Sequence, residues 1–190
     1  MNTQDSIARA RKAYEEGDFK SSAKLFESIL EIRQEAQLFY EHALCLLRLE
    51  KKKVALKQLD RALELEPKNP FRYSSRAYVK DAVGDIHGAI EDYRSCIRID
   101  PEDAIAHNNL GLLYDKLGRR EAAKHHIKQA DLLSDAREYL ENQKIREKAE
   151  AGDSSAEQKK DSLGSEVLKV FKDKKSRSEF FTFVRKGWKL

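Results

Sequence analysis

The chain has 190 residues, with 37 Lys and Arg against 33 Asp and Glu, a formal net charge of +4, and 37% charged against 40% apolar residues. That length suits one domain with an appendage, and that balance suits slender helical layers with much exposed surface. No run approaches the ~18 apolar residues of a membrane-spanning helix, and the opening MNTQDSIARARKAYEEGD holds no signal-peptide apolar core, so a cytoplasmic location is the expectation.

From Thr3 to about Leu133 the spacing of apolar residues predicts eight antiparallel helices in four pairs. Gly17-Asp18, Leu49 to Lys52, Gly84-Asp85 and Gly118-Arg119 turn the chain within pairs, and Pro67 to Pro70 and Pro101 to Asp103 separate pairs. Proline fits there because it cannot continue a helix but suits the first turn of the next. The first pair is the least regular, with Ser22 at a position that is alanine later and Gln34 where later pairs have proline. The second reads FYEHALCL, ALKQL and LEP, with Glu50 where the later turns have glycine. The third reads YSSRAYVK, AVGD, AIEDY and IDP. Cys45 and Cys96 each fall on an apolar helical stripe and read as reduced core residues.

The fourth pair, Ala106 to Leu133, is the clearest. His107, Leu110, Gly111 and Tyr114 share one face of its first helix, and Ala123, Ile127 and Ala130 one face of its second. Gly111, lacking a side chain, lets the partner helix approach at Ala123, with Ile127 filling the gap one turn on. Gly118 ends the first helix, where positive φ is favoured.

Gly84 and Gly118 are 34 apart, as are Ala55, Ala89 and Ala123, and Pro67 and Pro101, whereas Ser22 to Ala55 is 33. This period, with aromatic-x2-Leu-Gly-x2-Tyr, then Ala-x3-aromatic, then Pro, resembles the tetratricopeptide repeat (TPR) over roughly residues 4 to 135. The resemblance implies an all-α, right-handed α-solenoid of four helix pairs, in which the first helix of each pair lines a concave groove. A degenerate first unit fits a terminal repeat with one unpartnered face.

Ser134 to Glu150 reads as a capping helix with Ala136, Tyr139 and Leu140 on its covered side, and no proline separates it from the helix before. The expected organisation is a repeat domain over 1–150, a flexible linker over 151–163, and a basic aromatic segment of amphipathic helices over 164–190. From Lys159 onward there are ten Lys or Arg and four Asp or Glu, net +6, which leaves about −2 on the rest. Leu168 and Phe171 contribute to one apolar stripe, and Phe180, Phe181, Val184 and Trp188 to a second. Such stripes call for docking: on the chain's own groove as an internal gate, on a second copy, on an anionic membrane or on nucleic acid.

Nothing in the sequence nominates catalysis, a cofactor, a metal or a small-molecule substrate. The five histidines show no metal-ligand spacing, His42 and His107 occupy packing positions, and adjacent His125 and His126 point in different directions. The stripe turned toward the groove is more informative: Gln4, Ile7, Arg11 and Tyr14; Gln37, Tyr40, Leu44 and Leu47; Phe71, Ser74, Tyr78 and Asp81; Ile105, Asn108, Leu112 and Asp115. Tyr40, Leu44, Leu47, Phe71, Tyr78, Ile105, Asn108 and Leu112 are the candidate binding residues. The clamp by which some TPR proteins hold chaperone C-terminal carboxylates needs Lys, Arg and Asn on these stripes. Only Arg11 and Asn108 meet that need squarely. The expected function is therefore a scaffold that binds a protein or peptide segment, with membrane or nucleic-acid association through the tail as the alternative.

Overall fold

The structure, a computed structural model, describes residues 3–151, with side chains as far as Ile145. The linker, and the tail residues Leu168, Phe171, Phe180, Phe181, Val184 and Trp188, lie outside the described residues. Among the described residues there are eight helices and no strand: α1 (Thr3–Glu15), α2 (Phe19–Ile32), α3 (Ala36–Arg48), α4 (Lys52–Leu65), α5 (Pro70–Ala82), α6 (Ile86–Ile99), α7 (Ala104–Lys116) and α8 (Arg120–Ala151). They fall into two compact units, the first ending at Pro101 and holding α1 to α6, the second beginning at Glu102 and holding α7 and α8.

The repeat period is visible in the helix starts. α3, α5 and α7 begin at 36, 70 and 104, and α4, α6 and α8 at 52, 86 and 120. The residue missing from the first repeat is lost between pairs: Arg33–Glu35 joins α2 to α3 with one residue fewer than Glu66–Asn69 or Asp100–Asp103. That is where Gln34 stands in place of proline. Side chains of Asp18, Asn69, Asp85 and Asp103 accept hydrogen bonds from backbone N–H groups in the first turns of α2, α5, α6 and α7. α3 and α4 start at Glu35 and Lys51 without such a cap. The four turns within pairs share one backbone feature, a residue with positive φ. It is glycine at Gly17, Gly84 and Gly118, but at the second pair it is Glu50, with φ 57°.

In the first unit the core runs between α1, α2 and α3, around Ile7, Ala10, Phe26, Leu38 and Phe39, and continues through Ala43, Leu46, Leu59 and Val79. Small residues occupy the helix crossings: Ala10, Ser22, Ala43, Ala55, Ala77 and Ala89 are all fully buried. The Ser22 hydroxyl, the one polar group among them, donates to the Ala10 carbonyl at 2.7 Å. Cys45 and Cys96 form no disulfide and are buried, and burial raises the Cys45 thiol above its ordinary pKa. In the second unit, a Cβ on Gly111 would stand 2.8 Å from Ile127 Cγ1 and 3.2 Å from the Ala123 carbonyl oxygen. α7 and α8 therefore approach closely at Gly111, as the sequence predicts. α8 passes 134 without a break, and Ala136 is fully buried with Leu133, Tyr139 and Leu140 packed about it.

An ion-pair network ties α4, α5 and α6 together. Arg76 grips Asp92 with two hydrogen bonds of 2.7 and 2.6 Å and reaches Asp60 at 2.9 Å, while Lys80 lies 2.9 Å from Asp92. The Asp92 side chain is only 5% exposed, so its charge depends on these partners. Its hydrogen bonds push the Arg76 guanidinium pKa further up.

Candidate functional site

The first unit carries two adjoining hollows on either side of α3, and Leu44 lines both. The larger, about 260 Å³, has walls of Tyr40, Leu44, Leu47 and Tyr78 and a floor of Leu59 and Val79. The smaller, about 150 Å³, lies among Arg11, Tyr14, Phe26, Glu41 and Leu44. Phe71 joins the same surface by packing edge-on against Tyr40, ring centroids 4.9 Å apart. Five of the eight candidate residues are thus brought together: Tyr40, Leu44 and Leu47 half-buried, Phe71 46% exposed and Tyr78 65% exposed. Ile105, Asn108 and Leu112 sit on α7 in the second unit, all exposed.

Of the first helix's expected groove residues, Ile7 belongs instead to the core, at 3% exposure. Arg11 is on the surface but is not a free cation. Its Nε and Nη2 donate to the two carboxylate oxygens of Glu41 at 2.9 and 2.8 Å, an interaction that raises its pKa. Gln37 donates to the same Glu41 at 2.9 Å. Beneath the Tyr40–Phe71 pair, Arg72 is buried, its guanidinium carbon 5.5 Å from each ring centroid. Arg72 Nε donates to Glu66 at 2.8 Å and Nη2 to Gln37 at 3.2 Å, while Nη1 is buried without a hydrogen-bond partner. Hydrogen bonds from Arg72 and then Asn69 hold the Glu66 carboxyl below the usual range, and burial raises the Tyr40 phenol. The surface is therefore largely apolar and aromatic, with Arg11 paired to Glu41, while Glu15 also lines the smaller hollow and Arg72 Nη1 keeps no hydrogen-bond partner.

Sequence reasoning did not find the Arg11–Glu41 and Arg72–Gln37 contacts, which join residues 30 and 35 apart on neighbouring repeats. Writing the repeats above one another would have put each pair on facing helices. Among the described residues no group of three or more His, Cys, Asp or Glu side chains could hold a metal ion, and no helix is long and apolar enough to cross a membrane.

Residues 7–70 and 104–141 match families described as tetratricopeptide repeat, and residues 82–118 one described as TPR repeat. The chain belongs to the TPR proteins. Among curated relatives, the TPR repeat-containing thioredoxin TTL4 of Arabidopsis thaliana is 40% identical over 73 residues, 38% of this chain and 11% of the relative. The TPR repeat-containing protein MJ1428 of Methanocaldococcus jannaschii is 22% identical over 122 residues, 64% of this chain and 21% of the relative. The TPR chain thus spans between about a tenth and a fifth of these relatives' lengths. Among solved structures, MamA superposes with a TM-score of 0.67 at 22% identity, covering 70% of this chain and 78% of MamA. YrrB, described as a TPR protein with an unusual peptide-binding site, superposes with a TM-score of 0.63 at 23% identity, covering 69% of this chain and 68% of YrrB. These likenesses show the fold, which is the all-α solenoid class that the repeat period implies. TPR arrays are interaction scaffolds, and that broad class is the one this chain joins.

Proposed function

We propose that the α1–α3–α5 face of the first unit binds a segment of a partner protein, in the cytoplasm, through Tyr40, Leu44, Leu47, Phe71 and Tyr78. The observation that carries this reading is the pair of apolar hollows sharing Leu44. A monomeric solenoid gains nothing by leaving tyrosine and phenylalanine rings half in water, and such surfaces mark binding sites. Ile105, Asn108 and Leu112, exposed on α7 of the second unit, are a separate candidate surface. Adjacent helices pack about 8–10 Å apart, so the two hollows are separated by about three residues of extended chain at about 3.3 Å each. With Arg11 neutralised by Glu41 and both hollows lined mostly by apolar side chains, the fitting segment is apolar at its two anchor positions. YrrB's description as having a peptide-binding site agrees with a peptide segment as the ligand.

Peptide display against the full chain should enrich segments with two large apolar residues about three apart. The exposed Tyr78→Asp change should abolish that enrichment while leaving the helical circular dichroism unchanged. Equal enrichment on both proteins would reject the face.

The finer part of the proposal is that the 164–190 segment competes for this face as an internal gate, in cis or exchanged between two copies. Its apolar stripes and its charge of opposite sign to the rest support this. A linker of about a dozen residues has a root-mean-square span of about 20 Å. Phe181→Asp with Trp188→Ala should raise tail proteolysis and strengthen peptide binding. Equal cleavage of wild type and variant, with Trp188 emission typical of water exposure in the wild type, would reject the gate. Binding of the tail to anionic vesicles or nucleic acid would then replace it.

A further inference from the structure

The second unit holds a cluster outside the binding face. His107 on α7 and His126 on α8 turn their rings together, with Nδ1 to Nδ1 at 3.1 Å. Tyr114 stacks on His126, ring centroids 5.6 Å apart and planes 22° apart, which fixes that ring. His107 and Tyr114 are buried, and His126 is half-buried, so the pair is open to solvent on its His126 side. His125 meets His126 edge-on but is itself exposed.

The geometry points to a two-imidazole site for a first-row transition-metal ion of the zinc, nickel and copper group, chelated by His107 Nδ1 and His126 Nδ1. Imidazole nitrogens lie about 2.0–2.1 Å from such an ion. Two nitrogens at that distance and 3.1 Å apart subtend about 98° at the metal, between the octahedral right angle and the tetrahedral angle. The separation is therefore already that of a chelate. The rings are brought there by the α7–α8 approach at Gly111, so little chain ordering remains for binding to cost. Neutral imidazole favours this group of ions over magnesium and calcium, which take oxygen ligands.

In the hydrogen-bonded pair one Nδ1 carries the proton and the other accepts it. On metal binding that proton moves to Nε2 of its own ring, leaving both Nδ1 lone pairs on the ion and both Nε2 atoms protonated. The proton count does not change, and waters complete the coordination. The site lies outside the partner-binding face and adds an ion-dependent clasp across the α7–α8 pair.

The test is titration of the full, untagged chain with Zn²⁺, Ni²⁺ and Mg²⁺, followed by calorimetry and by thermal melting. One zinc or nickel ion should bind per chain and raise the melting temperature, and magnesium should do neither. His126→Gln should weaken zinc binding by about tenfold or more, since even residues behind metal ligands cost that much. His125→Gln should leave it unchanged. Imidazole ¹⁵N shifts of His107 and His126 should report both Nδ1 atoms coordinated. His126 is half-buried and its glutamine variant keeps the fold, which the melting curve without metal verifies. Failure of zinc to bind the wild type, or binding that survives His126→Gln, would overturn the inference.

Discussion

Replacing Gly111 with alanine sets two effects of known size against each other. Alanine is favoured over glycine inside a helix by about 0.8–1.0 kcal/mol. At Gly111, however, the new Cβ would meet Ile127 Cγ1 at 2.8 Å, and the Ala123 carbonyl oxygen and Ile127 amide nitrogen at 3.2 Å each. Two of those three neighbours are backbone of α8, so the helix itself must move, and overpacking of this kind costs about 1–3 kcal/mol. The net expectation is destabilisation by about 1 kcal/mol, with Gly111→Leu worse. Truncating Ile127 to alanine removes the nearest neighbour. Alone it destabilises, but with Gly111→Ala the two changes should couple favourably by about 1 kcal/mol or more, within the range found for touching residues. Urea denaturation of the four proteins, followed by circular dichroism, closes the cycle. If Gly111→Ala is more stable than wild type by the full propensity gain, the contact between α7 and α8 is not tight at this point.

Glu50→Gly should stabilise by about 0.5–1 kcal/mol in guanidinium titration, because it removes a side chain from φ 57° at the position where the other turns have glycine. Arg76→Met should cost about 2–4 kcal/mol by taking from buried Asp92 the Arg76 partner and leaving it Lys80. Adding Asp92→Leu to that variant should recover much of the loss, and failure to recover it would mean that packing, not charge, is what Arg76 supplies. Burial lowers the pKa of His42 below its ordinary value, opposed by a hydrogen bond with Gln58. The unfolded chain therefore takes up a proton first, so the His42 contribution is full above about pH 6.5 and is lost as pH falls toward the depressed folded value. Melting curves from pH 8 to pH 5 should show this decline, and His42→Gln should flatten it.

The repeat architecture was legible because its signals are local and recur: glycines that turn, alanines at crossings, prolines between pairs. Glu50 shows how firm that reading is, since the backbone takes the same positive φ there without the residue that favours it. The apolar stripe of the first helices was legible in part. Tyr40, Leu44, Leu47 and Tyr78 line one hollow as the helical rotation predicts. Ile7, one repeat period before Tyr40, turned inward, because an apolar side chain at the edge between two faces gains more by packing against Phe26 and Ala10 than by lining a groove. The histidine pair was illegible for another reason. His107 and His126 are 19 residues apart on opposite sides of a turn, and their meeting depends on two ring rotations that no spacing rule encodes. The continuity of α8 was readable only as a missing proline.

That continuity decides how this array can be lengthened. Every earlier second helix gives way to a connection, the last two beginning at Glu66 and Asp100, and the period places the next at 134. α8 instead runs straight through that position. A designer who appended a 34-residue module after Leu133 would be grafting onto an unbroken rod and would first have to install a breaker. The same module inserted at the Asp100–Asp103 connection would have a connection between helix pairs on both sides. Such an array lengthens where a connection already stands, not where one helix runs through.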